Sequence, residues 1–332
     1  MNITISVIMS VYNGENWLKE SISSVLNQTF TNFEFIIVND GSEDTSLQII
    51  QSFASNDNRI QVIDKMNTGV SNSRNQAIEV ASGEWIANID ADDIWSAQKL
   101  DLQYKEALSN QDVVLVGTTS KEIDQEGEIL RYTNYPSDNK TLKRNLFQMR
   151  KFFSHSSYFY RANIAKSLGG YRNRIKTADD YDLCLRLSEL GQIICINKPL
   201  VTIRNHLLQL SHEESGNRQN LDARLALISL LLKQKGFKDP VSNNNAMSEF
   251  KEFFKFVEKE IHVLGLNKYK LFIKQLKSKL VKINFLSVIS FFLLTLKSPQ
   301  YVLRYFIEMI RGEMISNTVM NKWASKEIDF KK

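Results

Sequence analysis

Asp90, Asp92 and Asp93 place three carboxylates within four residues, directly after the apolar run Trp85-Ile86-Ala87-Asn88-Ile89. Carboxylates this close repel one another unless cations or hydrogen-bond donors offset them. A Mn²⁺ or Mg²⁺ ion held by one or two carboxylates, with diphosphate oxygens completing its shell, satisfies such a cluster, because these hard ions prefer oxygen ligands. The competing reading is a solvated helix N-terminus, where acidic residues meet the positive end of the helix dipole. Placement after a strand favours chemistry. Two more polar clusters follow apolar runs in the same way, Tyr12-Asn13 after residues 3–10 and Asn39-Asp40 after residues 33–38.

The elements that must position these groups alternate. Strand-like runs at 3–10, 33–38, 60–63 and 85–89 are separated by helical patterns: Trp17, Leu18, Ile22, Val25 and Leu26; then Leu47, Ile50 and Phe53; then residues 71–81. Such alternation predicts an α/β fold of βαβ units with a mainly parallel sheet flanked by helices. Ligands of open α/β sheets bind at the carboxyl ends of strands. All three polar clusters sit there, so they converge on one predicted site. Beyond residue 100 the pattern is less regular. Strands are expected at 113–117, 156–160 and 200–204, a tight turn at Gly169-Gly170-Tyr171, and a helix over 180–190. From about Arg218 the chain reads as helical throughout, with Asn243-Asn244-Asn245 as the best linker candidate.

Length and composition agree with this reading. The 332 residues allow two domains at roughly 150 residues each. With 43% apolar and 24% charged residues, the chain is neither disordered nor collagen-like nor a disulfide-built miniprotein. Its two cysteines, Cys184 and Cys195, match no metal or redox spacing and fit a reducing cytoplasm as buried hydrophobes. The first residues lack the basic and apolar regions of a signal peptide. The longest apolar stretch, 285–296, is shorter than the ~20 residues a membrane-spanning helix needs. The net charge of +5 divides into −3 over the first 245 residues and +8 over the rest (16 Lys and Arg against 8 Asp and Glu).

Five blocks then resemble family 2 of the inverting, nucleotide-sugar-dependent glycosyltransferases of GT-A fold. They are Ser6–Asn13, Ile37–Ser42, Asn67-Thr68-Gly69 with Ser73-Arg74-Asn75, Ala81–Ile86, and Asp90-Ala91-Asp92-Asp93, and the resemblance covers roughly residues 3–212. It implies that Ser10 and Tyr12 pack against the base of a nucleoside diphosphate, although the family usually has proline where Ser10 stands. Asp40 is then the carboxylate for the uracil N–H, Asn67 and Arg74 are donor-binding positions, Asp90 meets the ribose, and Asp92 holds the metal bridging the phosphates. Gly169-Gly170-Tyr171 ahead of Asp179-Asp180 resembles the family's glycine turn and its Glu-Asp pair, with Asp179 replacing the glutamate. This makes Asp180 the general base, against the competing reading of an acidic helix cap. Arg204-Asn205-His206 resembles a further feature after the last strand, which implies for His206 the role of a metal ligand or of a phosphate contact. His155 is placed to face the acceptor.

The resulting expectation is a GT-A catalytic domain at 1–217 and a helical extension at 218–332. The activity expected is transfer of a sugar from a nucleotide sugar, UDP-linked, to a glycan acceptor hydroxyl in polysaccharide synthesis, with Mn²⁺ or Mg²⁺ as cofactor. Residues 266–311 are basic and amphipathic, with six lysines between Lys268 and Lys282. They suit a helix lying on anionic lipid, and equally a bundle packed on another subunit of a homo-oligomer. Docking would serve a lipid-linked acceptor at the inner face of the plasma membrane. No nucleic-acid partner is expected, since the basic segment carries no recognised module. A nucleotidyltransferase and a non-catalytic membrane-associated scaffold remain as alternatives; the loop Tyr12–Asn16 lacks the cations that the first of these needs.

Overall fold

The computed structural model describes residues 3–150, 152–206, 209, 215–242, 247–260 and 318–325. The linker expected at 243–245 and the basic segment 266–311 lie outside the described residues. Among the described residues, one sheet holds β1 (Ile5–Val11), β2 (Phe33–Asp40), β3 (Ile60–Lys65), β4 (Trp85–Asn88), β5 (Ile94–Trp95), β6 (Val113–Ile123), β7 (Ile129–Tyr132), β8 (Phe159–Arg161) and β9 (Gln192–Arg204). The helices are α1 (Leu18–Leu26), α2 (Ser46–Ala54), α3 (Val70–Val80), α4 (Lys99–Leu108), α5 (Asn139–Phe147), α6 (Ala162–Ser167), α7 (Asp179–Ser188) and α8 (Ser215–Gln234). A single 3₁₀ turn covers His155–Ser157.

The strand order is β3-β2-β1-β4-β8-β6-β9-β5, with β7 paired to β6. The sheet is parallel from β3 through β4, as crossover helices between strands require. Beyond β4 it is mixed: β8 runs antiparallel between β4 and β6, β9 is parallel to β6, and β5 is antiparallel to β9. Strands buried on both faces read as continuous apolar runs, and β1 and β2 are buried along nearly their whole length. Leu18, Ile22 and Val25 form the buried stripe of α1 against that core. Trp85 stacks on Phe159 at 5.0 Å, fastening β4 to β8.

The strand expected at 156–160 is instead the 3₁₀ turn His155–Ser157 followed by β8, β6 runs on to Ile123, and two further differences serve the site. β9 starts eight residues before the expected 200, and its middle, Asn197-Lys198-Pro199, is polar and interrupted by a proline that cannot donate to the ladder, which hides the earlier part in the sequence. Register shifts around Thr119, opposite Pro199, absorb the interruption and let β6 and β9 pair over their length. The two-residue β5 carries no periodicity. Its pairing of Ile94 with Thr202 and Trp95 with Val201 draws the segment after Asp93 onto the end of β9.

The chain divides into two compact units, residues 1–146 with 151–226, and residues 147–150 with 227–332. The sheet lies in the first. Within the second, the helical residues 247–260 and 318–325 carry Phe253 and Phe256, whose rings meet Trp323 at 5.1 and 5.0 Å, and Lys322 pairs with Glu260 at 2.5 Å. No described helix is long and apolar enough to cross a membrane. Cys184 and Cys195 are free and buried.

Candidate active site

The loops after β1 and β2 are stitched together. Ser42, Ser46 and Asp44 accept the N–H groups of Asn13, Gly14 and Glu15, while Asn13 and Glu15 accept those of Glu43 and Thr45. These amides are consumed and no cation lies among them, so the loop offers no cradle for a triphosphate. Tyr12 stands at the end of β1, 52% exposed, and Ser10 is half-buried one register pair earlier, opposite Val38.

Asp40 closes β2 with its carboxylate buried. Oδ1 accepts the Thr68 N–H at 2.8 Å and the Lys65 ammonium, and Oδ2 accepts the Gly69 N–H at 2.9 Å. Burial pushes its pKa up, but Lys65, the Thr68 amide and Ser73 outweigh that and hold it below the usual carboxylate value. Asp40 thus fixes the loop that presents exposed Asn67. Gly41 permits the approach. Its φ is +71°, and a Cβ there would stand 2.7 Å from the Asn67 nitrogen.

The three carboxylates after β4 escape mutual repulsion by three different routes. Asp90 Oδ1 accepts Arg74 Nη2 at 2.9 Å and lies 3.2 Å from His155 Nδ1. Although burial opposes ionisation, His155 and Arg74 hold the Asp90 carboxyl well below its usual range. Asp92 Oδ2 is 2.8 Å from His206 Nε2. Asp93 is buried, and that burial, with Asp92 and Asp90 alongside, pushes its carboxyl well above the usual range. It accepts the Ser156 hydroxyl and the Arg204 N–H. The Asp92–His206 pair joins residues 114 apart in sequence through the β5–β9 ladder. Trp17 lies against the His206 ring at 4.0 Å, and Arg204, paired with Glu20 on α1 at 2.6 Å, holds the same corner.

This donor set fits a divalent ion. A carboxylate oxygen and an imidazole nitrogen face each other at hydrogen-bond distance, and together they suit Mn²⁺ or Mg²⁺ with further oxygens from a diphosphate. Among the described residues the buried His206 Nδ1 has no hydrogen-bond partner. Among the described residues no group of three or more His, Cys, Asp or Glu side chains converges. The remaining ligands would therefore have to come from the substrate.

α3 acts as a bracket between the two halves of the site. Ser71 Oγ and Arg74 Nη1 both donate to Asp179 Oδ2, at 3.0 and 2.9 Å, while the other Arg74 nitrogen reaches Asp90. One turn on, Asn75 pairs with both backbone groups of Tyr171, accepting its N–H at 2.6 Å and donating to its carbonyl at 2.8 Å. Tyr171 then turns its hydroxyl to His155 Nε2 at 2.8 Å and to the Asn88 amide at 2.6 Å. Gly170, at φ +65°, is the price of that docking: a Cβ there would sit 2.2 Å from Asn75 Oδ1. Gly170→Ala is therefore expected to destabilise the protein by about 1–3 kcal/mol in a urea titration. A change below about 0.5 kcal/mol, the range of an ordinary surface substitution, would show that Asn75 is not fixed.

The acids at the start of α7 do not cap it. Ala178, the residue at the cap, makes no side-chain hydrogen bond, and the three carboxylates diverge. Asp179 goes to Ser71 and Arg74, and Asp182 is wholly buried between Arg172 and Arg186. Asp180 is half-buried, with Oδ1 accepting its neighbour's N–H from Tyr181 at 2.7 Å. Burial and the adjacent Asp179 push its carboxyl above the usual value, and His155, the Tyr181 amide and Arg74 offset this only in part. A carboxylate kept basic in this way suits proton abstraction.

Of the residues singled out from sequence, Asp92 meets His206 directly, and Asp90 meets Arg74, which leads through Asp179 to the start of α7. Asp40 and Asn67 form a separate neighbourhood at the β2 end, and Ser10 and Tyr12 line the adjacent loop. Sequence reasoning missed Ser71, Trp17, Lys65 and Ser156. A single serine on α3 or in the 3₁₀ turn, or a lysine at the end of β3, has no spacing to mark it, and only Trp17, counted there as one helical apolar position, carried any signal.

The model of the glycosyl transferase family 2 matches residues 6–169. The O-antigen biosynthesis glycosyltransferase WbnJ of Escherichia coli is 30% identical over 184 residues, 55% of this chain and 71% of that protein. The chondroitin synthase of Pasteurella multocida is 27% identical over 242 residues, 73% of this chain and 24% of the synthase, so the chain spans about a quarter of that relative. Among solved structures, S. aureus TarS 1–349 in complex with UDP-GlcNAc superposes with a TM-score of 0.54 at 19% identity, covering 76% of this chain and 70% of that one. The mannosyltransferase PcManGT from Pyrobaculum calidifontis, in complex with GDP-Man and Mn²⁺, gives 0.57 at 16% identity, covering 96% and 87%. At these identities the likeness is one of fold.

Proposed function

We propose, from the premise that this chain belongs to glycosyl transferase family 2 and has its GT-A fold, that it transfers a sugar from a UDP-sugar to a glycan hydroxyl with inversion, in polysaccharide synthesis. The observation that carries this reading is the Arg74 bridge from Asp90, at a strand end, to Asp179, beside Asp180. One guanidinium sets the donor-side carboxylate and the base helix in a common frame. Asp180 takes the proton of the acceptor hydroxyl as its oxygen attacks the anomeric carbon, while the bond from that carbon to the diphosphate oxygen breaks on the opposite side. A single displacement inverts the configuration.

In this reading Tyr12 and Ser10 face the base, Asp40 takes the uracil N–H beside the Asn67 loop, and Asp90 receives the ribose. Asp92 and His206 would hold a divalent ion, which when bound offsets charge on the leaving diphosphate. The relatives, a chondroitin synthase and an O-antigen glycosyltransferase, support a glycan acceptor, and the complexes of the two structural neighbours support a nucleotide sugar and Mn²⁺. A lipid-linked acceptor and peripheral membrane contact through 266–311 belong to the same reading and rest on the sequence alone.

Thermal unfolding with UDP, GDP, CMP and ADP, each with and without Mn²⁺, tests it. A ligand at a hundredfold excess over its Kd stabilises by about 2.7 kcal/mol, a rise of several degrees. UDP with Mn²⁺ is expected to give that rise and UDP alone much less. Stronger stabilisation by another nucleotide would replace the donor, and no response to any would sink the reading. The donor for kinetics is then the UDP-sugar that releases UDP fastest, chosen from UDP-glucose, UDP-galactose, UDP-glucuronate and the two UDP-N-acetylhexosamines, with water as acceptor.

A further inference from the structure

Asp222 lies on α8, in the first compact unit, with its side chain at 0% exposure. Its Oδ2 accepts three donors, the N–H of Lys176, the N–H of Thr177 and the Thr177 hydroxyl, each at 3.0 Å. Its Oδ1 lies 2.9 Å from Arg218 Nε, one turn earlier on the same helix, a charge pairing without a hydrogen bond among the described residues. A buried carboxylate is tolerated only when its charge is met by donors and a cation, and both are present here.

The location gives this cluster its meaning. Lys176 and Thr177 immediately precede Ala178 and the first turn of α7, which carries Asp179 and Asp180. That turn has no side-chain cap of its own, so the backbone leading into it is fixed from α8 instead. On its other side Asp179 is fixed by Ser71 and Arg74 of α3. Among the described residues, Asp180 itself has only the local bond from the Tyr181 amide as a side-chain anchor. Its place is therefore set by the backbone that α3 and α8 clamp from two directions.

We propose that Asp222 is a positioning residue for the general base, holding the 176–178 segment so that Asp180 meets the attacking hydroxyl. The inference rests on the reading of Asp180 as base. Displacement of a reacting group by about 1 Å can cost about 100-fold in rate. Asp222→Leu, which removes the three Oδ2 contacts and the pairing with Arg218, is expected to lower kcat for UDP release about 100-fold and to leave donor KM and Mn²⁺-dependent UDP binding within about twofold. Asp222→Asn keeps one oxygen able to accept the same donors, so it is expected to restore most of kcat.

A merely structural role would lower the unfolding temperature of Asp222→Leu and leave kcat per folded molecule at the wild-type value, which overturns the proposal. If Asp222→Leu does not fold, Thr177→Val decides. Losing its one hydroxyl bond is expected to lower kcat about fivefold at unchanged UDP affinity, and wild-type kcat overturns the proposal. Asp180→Asn measured alongside separates the two readings. Full turnover in Asp180→Asn removes the base assignment and this inference with it, whereas an inactive Asp180→Asn beside a fully active Asp222→Leu removes the positioning role alone.

Discussion

Asp180→Asn is expected to reduce UDP release from the chosen donor by about 10²–10⁴-fold, the usual contribution of a positioned general base, while UDP binding with Mn²⁺ stays at the wild-type level. The pH dependence gives a second readout. Asp180 works only when ionised, and burial beside Asp179 holds its carboxyl above the usual value. The acid limb of kcat/KM is therefore expected above the range of an ordinary carboxylate, with activity falling as pH drops through it, and the residual rate of the asparagine variant should lack that limb. Stability moves the other way. A carboxyl whose folded pKa exceeds its unfolded value binds its proton more tightly when folded, so its ionisation lowers stability as pH rises past the unfolded value. At neutral pH the asparagine variant is accordingly expected to unfold no earlier than wild type. A variant that turns over normally would place the base elsewhere.

Asp92→Asn is expected to abolish the Mn²⁺ dependence of UDP stabilisation. Outer-shell changes around a metal cost about 10–100-fold in affinity, so loss of a direct carboxylate ligand should weaken Mn²⁺-dependent UDP binding at least about 100-fold. The loss should appear by calorimetry with UDP and Mn²⁺, before any turnover is measured, and His206→Ala should reproduce it because the two side chains face each other at 2.8 Å. UDP binding without metal should change little in either variant. Wild-type Mn²⁺ dependence in Asp92→Asn would remove the metal assignment, and the same result in His206→Ala would restrict it to Asp92.

These variants divide along a line that separates local from long-range information. β1, β2 and β4 were legible in the sequence because strands buried on both faces leave continuous apolar runs, and the polar residues that end them stand out by contrast, while the edge strand β3 was legible from the short run Ile60-Gln61-Val62-Ile63. The α3 and α7 segments were legible as helical stretches between such runs. The middle of β9 was not, since its polar residues and Pro199 carry no strand signal and only pairing with β6 keeps them extended. β5 was invisible too, a two-residue strand whose existence depends on Val201 and Thr202 lying beside it. The functions of Ser71, Asn75 and Asp222 likewise depend on partners 108, 96 and 46 residues away.

The sequence by itself determined the strand–helix alternation, the clustering of carboxylates at strand ends and the residue types able to hold a metal or take a proton. Each of these is written in composition and short spacing, which act before any distant contact forms. Only the tertiary structure decided how those groups are charged and tied. Asp90, Asp92 and Asp93 are neighbours in sequence, yet one faces Arg74 and His155, one faces His206, and one is sunk beside Ser156 with its carboxyl pushed up. A carboxylate's charge is set by the donors and burial around it, and those come from parts of the chain that only folding brings together.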